Sequence, residues 1–223
     1  MVSSRRHPMN ESPASPRQTL QPRQQMRPLL QVLSLPLLAF LILPLAALIL
    51  RAAPRSLVSN LSEPQVLQAI GLSLSTSLAA TLVTVLLGTP LAYSMARRYL
   101  PFQRAIDTLI DIPTVLPPAV AGVAMLMAFG RRGIFGSLLE SLGLNIAFTT
   151  LAVVLAQTFI AAPFYVKAAI IGFAGIDREL EQAAALDGAN GWQAFRYIIL
   201  PLSWTALTSG SVLTWARAMG EFG

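Results

Sequence analysis

The chain has 223 residues, of which 54% are hydrophobic and only 12% charged, far below the roughly 25% charge of soluble domains, so water is not its only solvent. A net charge of +6 comes without any basic stripe interleaved with aromatics, which excludes nucleic acid as a partner. Cysteine is absent and the single histidine, His7, lies in a polar stretch, which excludes disulfide frameworks, thiol nucleophiles and the usual zinc ligands, so no metal site is expected.

Residues 1–27 are rich in Ser, Pro, Gln and Arg with Glu11 as their one acid. Such a segment cannot bury a core and is expected to be a disordered cytoplasmic tail, an organelle transit peptide being the other reading of this composition. Residues 28–223 are expected to form one transmembrane domain. A hydrocarbon core of about 30 Å needs about 20 apolar residues of helix. Five stretches approach that length: Pro28 to Leu50, Val66 to Tyr93, Pro113 to Phe129, Ala147 to Val166 with a helical extension past Lys167, and Ile198 to Met219. The first contains Pro36 and Pro44, and is too long for a signal-peptide core. In the last, Trp204 and Trp215 lie eleven positions apart, about 16 Å along a helix, which suits rings at opposite interfaces. The fold class expected is therefore all-α and integral to a membrane. Ser73, Ser75, Thr76, Ser77 and Thr81 are either packing groups or pathway lining.

Arg97, Arg98 and Arg104 follow the second stretch, and Lys167, Arg178 and Arg196 flank the loop after the fourth. Together with five tail arginines they fall on one side of the membrane and predict a cytoplasmic amino terminus. Arg51, Arg55, Arg131 and Arg132 fall on the other. Residues 176–197, on the cytoplasmic side of this topology, read as two short helices with a sharp turn. Asp177 is placed to cap the first, Ala183 to Leu186 give helix propensity with little bulk, and Gly188 sits where a left-handed terminating residue is needed. Asn190 and Gln193 have capping-box spacing, and Pro201 marks the entrance to the last span. These features describe either a knob made to fit a groove on another protein or an interfacial helix-turn-helix that only reorients the chain.

The segment resembles the coupling loop of ABC-importer permeases: Glu-Ala-Ala, three residues, Gly, nine residues, Ile, one residue, Leu-Pro. Here the pattern falls on Gln182, Ala183, Ala184, Gly188, Ile198, Leu200 and Pro201, with Glu181 beside the Gln182 that replaces the usual acid. The resemblance implies that Glu181, Gln182, Ala183, Ala184, Asp187, Gly188, Ala189 and Pro201 couple the chain to a cytoplasmic ATPase dimer, which binds ATP and Mg, so that no cofactor belongs to this chain. It further implies a second permease copy, a separate extracytoplasmic oxyanion-binding protein, the bacterial inner membrane, and a sixth span after Gly223; either the chain is truncated there, the favoured expectation, or it ends after five crossings. No G-x-x-x-x-G-K-[ST] loop occurs and Lys167 is the sole lysine, so no phosphate-cradling lysine is at hand.

Further stretches, "VLPPAVAG", "FGRRGIFGSLLESLG" and "WARAMGEFG", resemble the molybdate, tungstate and sulfate branch of that family. "FGRRG" and Phe222 resemble its molybdate members more than its sulfate members. For the pathway, Pro117, Pro118 and Gly122 either break a helix to open a passage or kink it for packing. Arg217 and Glu221, four apart, are either a structural ion pair or, through Arg217, a transient oxyanion contact. An ion-coupled carrier would need acids or histidines at mid-membrane, and a membrane enzyme a nucleophile–base pair; the spans offer neither.

Overall fold

A computed structural model of the protein describes residues 26–51 and 63–221. The expected tail, up to residue 25, lies outside the described residues, as does Phe222. The chain falls into two units, Met1–Leu61 and Ser62–Gly223. In the first, helix α1 spans Met26–Arg51, with Pro36 and Pro44 inside it. Its side chains from residue 31 on are almost all exposed, as suits a helix whose solvent is lipid.

The second unit is helical throughout most of its described residues. In chain order it contains α2 (Pro64–Ala96), α3 (Gln103–Val115), α4 (Pro118–Phe129), α5 (Gly136–Ser141), α6 (Thr150–Ala174), α7 (Arg178–Leu186), α8 (Gly191–Ala194), a π-helical segment (Phe195–Ile199) and α9 (Leu200–Gly220). With α1, α2, α6 and the joined α8–α9 rod, four helices are long and apolar enough to cross a membrane, and a fifth crossing is made if α3 and α4 count as one bent span. The expected all-α membrane architecture is the one observed.

At the centre stands α6, which packs most extensively against α2 and α9. Close approach replaces hydrophobic bulk here, because lipid offers no hydrophobic drive between helices. Gly172 of α6 lies so near α9 that a Cβ on it would sit 2.5 Å from that of Ala206, and Gly88 of α2 faces the ring of Tyr165 in the same way. Tyr165, Ala169, Phe173 and Ile199 are fully buried. The buried hydroxyls of Thr76, Thr81 and Thr84 donate to carbonyls one turn back on α2, at 2.7–2.8 Å, so they are packing groups satisfied within their own helix. Among α2, α6 and α9, four side-chain hydrogen bonds cross between helices: Thr89 to Tyr165 at 2.6 Å, Trp215 Nε1 to Ser77 at 3.1 Å, Gln157 to the carbonyl of Ala218 at 3.2 Å and Thr214 to the carbonyl of Ala161 at 3.4 Å. Trp215 is thus tied to α2, while Trp204 stays exposed as an interfacial ring would.

Two expectations need correction. The stretch from Pro113 to Phe129 is not one helix: α3 ends at Val115, α4 begins at Pro118, and the two meet at 119°. The physical cause is the Pro117–Pro118 pair, which removes two successive N–H donors and pushes Leu116 into an extended conformation with ψ 131°. Gly122 plays no part in the break; it lies inside α4, with nothing within 4 Å of a would-be Cβ. The second coupling helix is likewise not separate from the last span. The chain runs without interruption from α8 through five π-helical residues into α9, the wide turn accommodating the ring of Pro201, which would otherwise meet the carbonyl four residues back.

The packing yields a direct expectation. Gly172→Ala should lower stability by about 1–3 kcal/mol through overpacking against Ala206. Combining it with Ala206→Gly should restore most of the loss, as thermal unfolding of the detergent-solubilised protein would record.

Candidate functional site: a helical elbow at one end of the bundle

The carboxyl ends of α2 and α6 and the start of the π-helical segment come together, joined by rings of Tyr93, Phe173 and Phe195 with centroids 5.1–6.1 Å apart. From this end α7 projects. Asp177 starts it by accepting from the backbone N–H of Glu179 at 3.1 Å, and Glu179 and Glu181 lie in its positive first turn. It ends in a Schellman arrangement. The N–H of Ala189 donates to the carbonyl of Ala184 at 2.9 Å and that of Gly188 to Ala185 at 3.1 Å, while Gly188 takes φ +87°. The chain then restarts at once. Asn190 accepts from the N–H of Gln193 at 2.9 Å and the Gln193 side chain accepts from the N–H of Asn190 at 2.8 Å, completing the capping box that the spacing predicts.

One buried ion pair holds this elbow to the bundle. Arg97, just past α2, has a side chain only 4% exposed and pairs with Glu181 of α7. Its Nη1 also donates to the carbonyl of Ile176 at 3.2 Å, its own carbonyl accepts from Arg178 Nη2 at 3.2 Å, and Tyr93 donates to Glu181 Oε2 at 3.3 Å. The face of Tyr93 lies 5.8 Å from the guanidinium centre. Glu181 is therefore turned inward and belongs to the anchor. Ala184 is buried beside it, whereas Gln182, Ala183, Asp187 and Gly188 are exposed and Ala189 is half-buried. Leu186 is 89% exposed and Trp192 67%, which gives the outward face an apolar character unusual for a surface turn. Pro201 lies well along the rod rather than on this face.

The residues considered for a pathway lie on two elements, the α3–α4 unit and α9. Pro117 and Pro118 form the α3–α4 break, Gly122 sits in α4, and Arg217 and Glu221 pair with each other along α9 at 2.5 Å, with the carboxylate side chain 4% exposed. The structural ion pair is the arrangement found. Sequence reasoning passed over Arg97 as an anchor and read it as a topology signal. The one clue was an arginine at the very end of an apolar helix with an acid available in a small-residue helix on the same side.

Residues 88–223 match the family described as binding-protein-dependent transport system inner membrane component, a match that takes in the elbow and all of its anchors. The chain belongs to that family. This permease is 37% identical over 189 residues to the molybdate/tungstate transport system permease protein WtpB of Thermococcus kodakarensis, covering 84% of this chain and 71% of that one. It is 40% identical over 190 residues to the molybdenum transport system permease protein ModB of Mycobacterium tuberculosis, covering 83% and 70%. A probable sulfate transport system permease protein, cysT of Chlorokybus atmophyticus, is 36% identical over 186 residues, covering 82% and 65%. The permease is thus an ABC-type, multi-pass membrane component among molybdate/tungstate and sulfate permeases.

Two expectations arise from the elbow. Glu181→Gln leaves a buried guanidinium without its counter-charge and should cost about 3 kcal/mol, whereas Arg97→Met with Glu181→Met together should cost less, as equilibrium unfolding in detergent would show. Gly188→Ala should cost about 1 kcal/mol from its left-handed backbone alone, since a Cβ there meets nothing within 4 Å, and Gly188→Asn should cost less than Gly188→Ala by the same measurement.

Proposed function

We propose that this permease is the membrane-spanning subunit of an ATP-driven importer that carries molybdate, or the near-identical tungstate, into the cytoplasm of a bacterial cell. The observation that carries the reading is the elbow itself: a small-residue helix ending at a left-handed glycine, with its outer face apolar and uncovered and its inner face locked to the bundle. On this reading the elbow and the amino terminus lie on the cytoplasmic side. Gln182, Ala183, Leu186, Asp187 and Gly188 seat in a groove of an ATPase dimer that binds ATP and Mg, because small side chains allow backbones to approach closely.

Force then has two routes into the membrane. One runs through Glu181 and Arg97 to the end of α2, and the other along the continuous rod from α8 through the π-helical segment into α9. A second permease copy completes the passage, and an oxyanion-binding protein delivers cargo from outside. Nothing among the described residues converges many donors on one point, as tight binding of a tetrahedral dianion would require. The permease therefore offers a passage of low affinity. The molybdate reading rests on the names of WtpB and ModB and on "FGRRG"; the sulfate reading, its rival, rests on cysT.

Uptake of radiolabelled molybdate and sulfate in cells expressing the permease, with and without its ATPase, tests the proposal. ATPase-dependent molybdate uptake, displaced by tungstate more readily than by sulfate, is the expected result. Uptake that persists without the ATPase would replace this reading with a carrier, and sulfate as the better competitor would replace the cargo.

A further inference from the structure

The sole lysine of the chain, Lys167, lies in α6 seven residues before its end. Its Nζ reaches two carboxylates of α3 at once: Asp107 Oδ1 at 2.5 Å and Asp111 Oδ2 at 3.0 Å. The two acids are four residues apart and so share one helix face. Two contacts a turn apart fix both the register of α3 along α6 and its rotation about its own axis. Gln103 Nε2, donating to the carbonyl of Met95 at 3.3 Å, tethers the start of α3 to α2, and Ile110 packs on the core.

Immediately beyond α3 comes the break, and nothing in the backbone holds its angle. Pro117 and Pro118 have no N–H to donate, and the N–H groups of Val120 and Ala121 turn back to the carbonyl of Pro117 on the α4 side. The direction in which α4 leaves is therefore set largely by the orientation of α3, whose contact with α6 is more extensive than that of α4 itself. The two ion-pair systems also differ in kind. Arg97, with a side chain 4% exposed, cannot be parted from Glu181 without stranding a buried charge, whereas the side chains of Lys167, Asp107 and Asp111 are 34%, 50% and 49% exposed, so water can take over each charge when the pairs open.

We infer that Lys167 is a positioning residue that latches α3 to α6, sets the direction of α4, and is the connection in this part of the bundle that opens and recloses during transport, while the elbow stays fixed to α2. The transport half of the inference rests on the permease reading above; the latch half does not. Because the chain contains no cysteine, spin labels can be placed without altering any other position.

Labels at Met127→Cys on α4 and Ala174→Cys at the end of α6 report the direction of α4 in the full chain reconstituted in lipid. The expected result is one dominant distance in the parent. Lys167→Met should raise the share of a second distance by about fivefold, the upper range for partly exposed pairs, with Lys167→Arg close to the parent and Asp107→Asn with Asp111→Asn close to Lys167→Met. Molybdate uptake by cells carrying Lys167→Met should lose maximal rate at unchanged half-saturation. Identical distances in parent and Lys167→Met, or equal disturbance by Lys167→Arg, would overturn the latch. Shifted distances with an unchanged uptake rate would overturn its opening during transport. A parent that imports no molybdate would sink the cargo reading, and the distances would still judge the latch.

Discussion

A guanidinium taken out of water must find an anion and hydrogen-bond acceptors, and Arg97 finds them on a segment about eighty residues further along the chain. Glu181 supplies the charge, Ile176 a carbonyl, and Tyr93 an aromatic face. Because stranding the buried guanidinium is costly, α7 is tied to the end of α2. The elbow is anchored to the helical core by its inner face, and Leu186 and Trp192 stay exposed on its outer one.

The core that receives this anchor relies on nearness. Glycine and alanine at the α6–α9 and α2–α6 contacts let backbones approach, and buried threonines satisfy themselves within α2. Only four side-chain hydrogen bonds cross among α2, α6 and α9, so close packing does most of the holding there. The buried pair that does cross sits at the end where the elbow projects, and this concentrates directional strength there.

Much of this was legible in the sequence because it depends on local rules. Gly188, Asp177 and the Asn190–Gln193 box are dictated by backbone geometry within a few residues, and each does in the structure what its spacing predicts. The apolar stretches located four of the long helices for the same reason: twenty apolar residues have few other fates. The bend between α3 and α4 was harder to read, since a proline pair is compatible with a gentle kink as well as with a turn of 119°. The ion pairs were not legible. Arg97 with Glu181 and Lys167 with Asp107 and Asp111 join residues 56 to 84 positions apart, and the same residues serve equally well as topology signals when only the sequence is read. The inward turn of Glu181 belongs to this class: motif spacing places a residue on a helix but does not say which side faces the bundle.

The π-helical residues Phe195–Ile199 set the phase between elbow and span. Each residue added to or taken from a continuous helix rotates everything beyond it by about 100°. A wide turn holds one residue more than its α-helical counterpart, so the azimuth of Trp192 and of the elbow relative to Ser203, Leu207 and Gly210 on the buried side of α9 is fixed by that one surplus residue. A chain that kept the nine residues between Gly188 and Ile198 would keep this azimuth. A lineage that lost one of those residues would present its elbow to a different neighbour, with every side chain of the motif still in place.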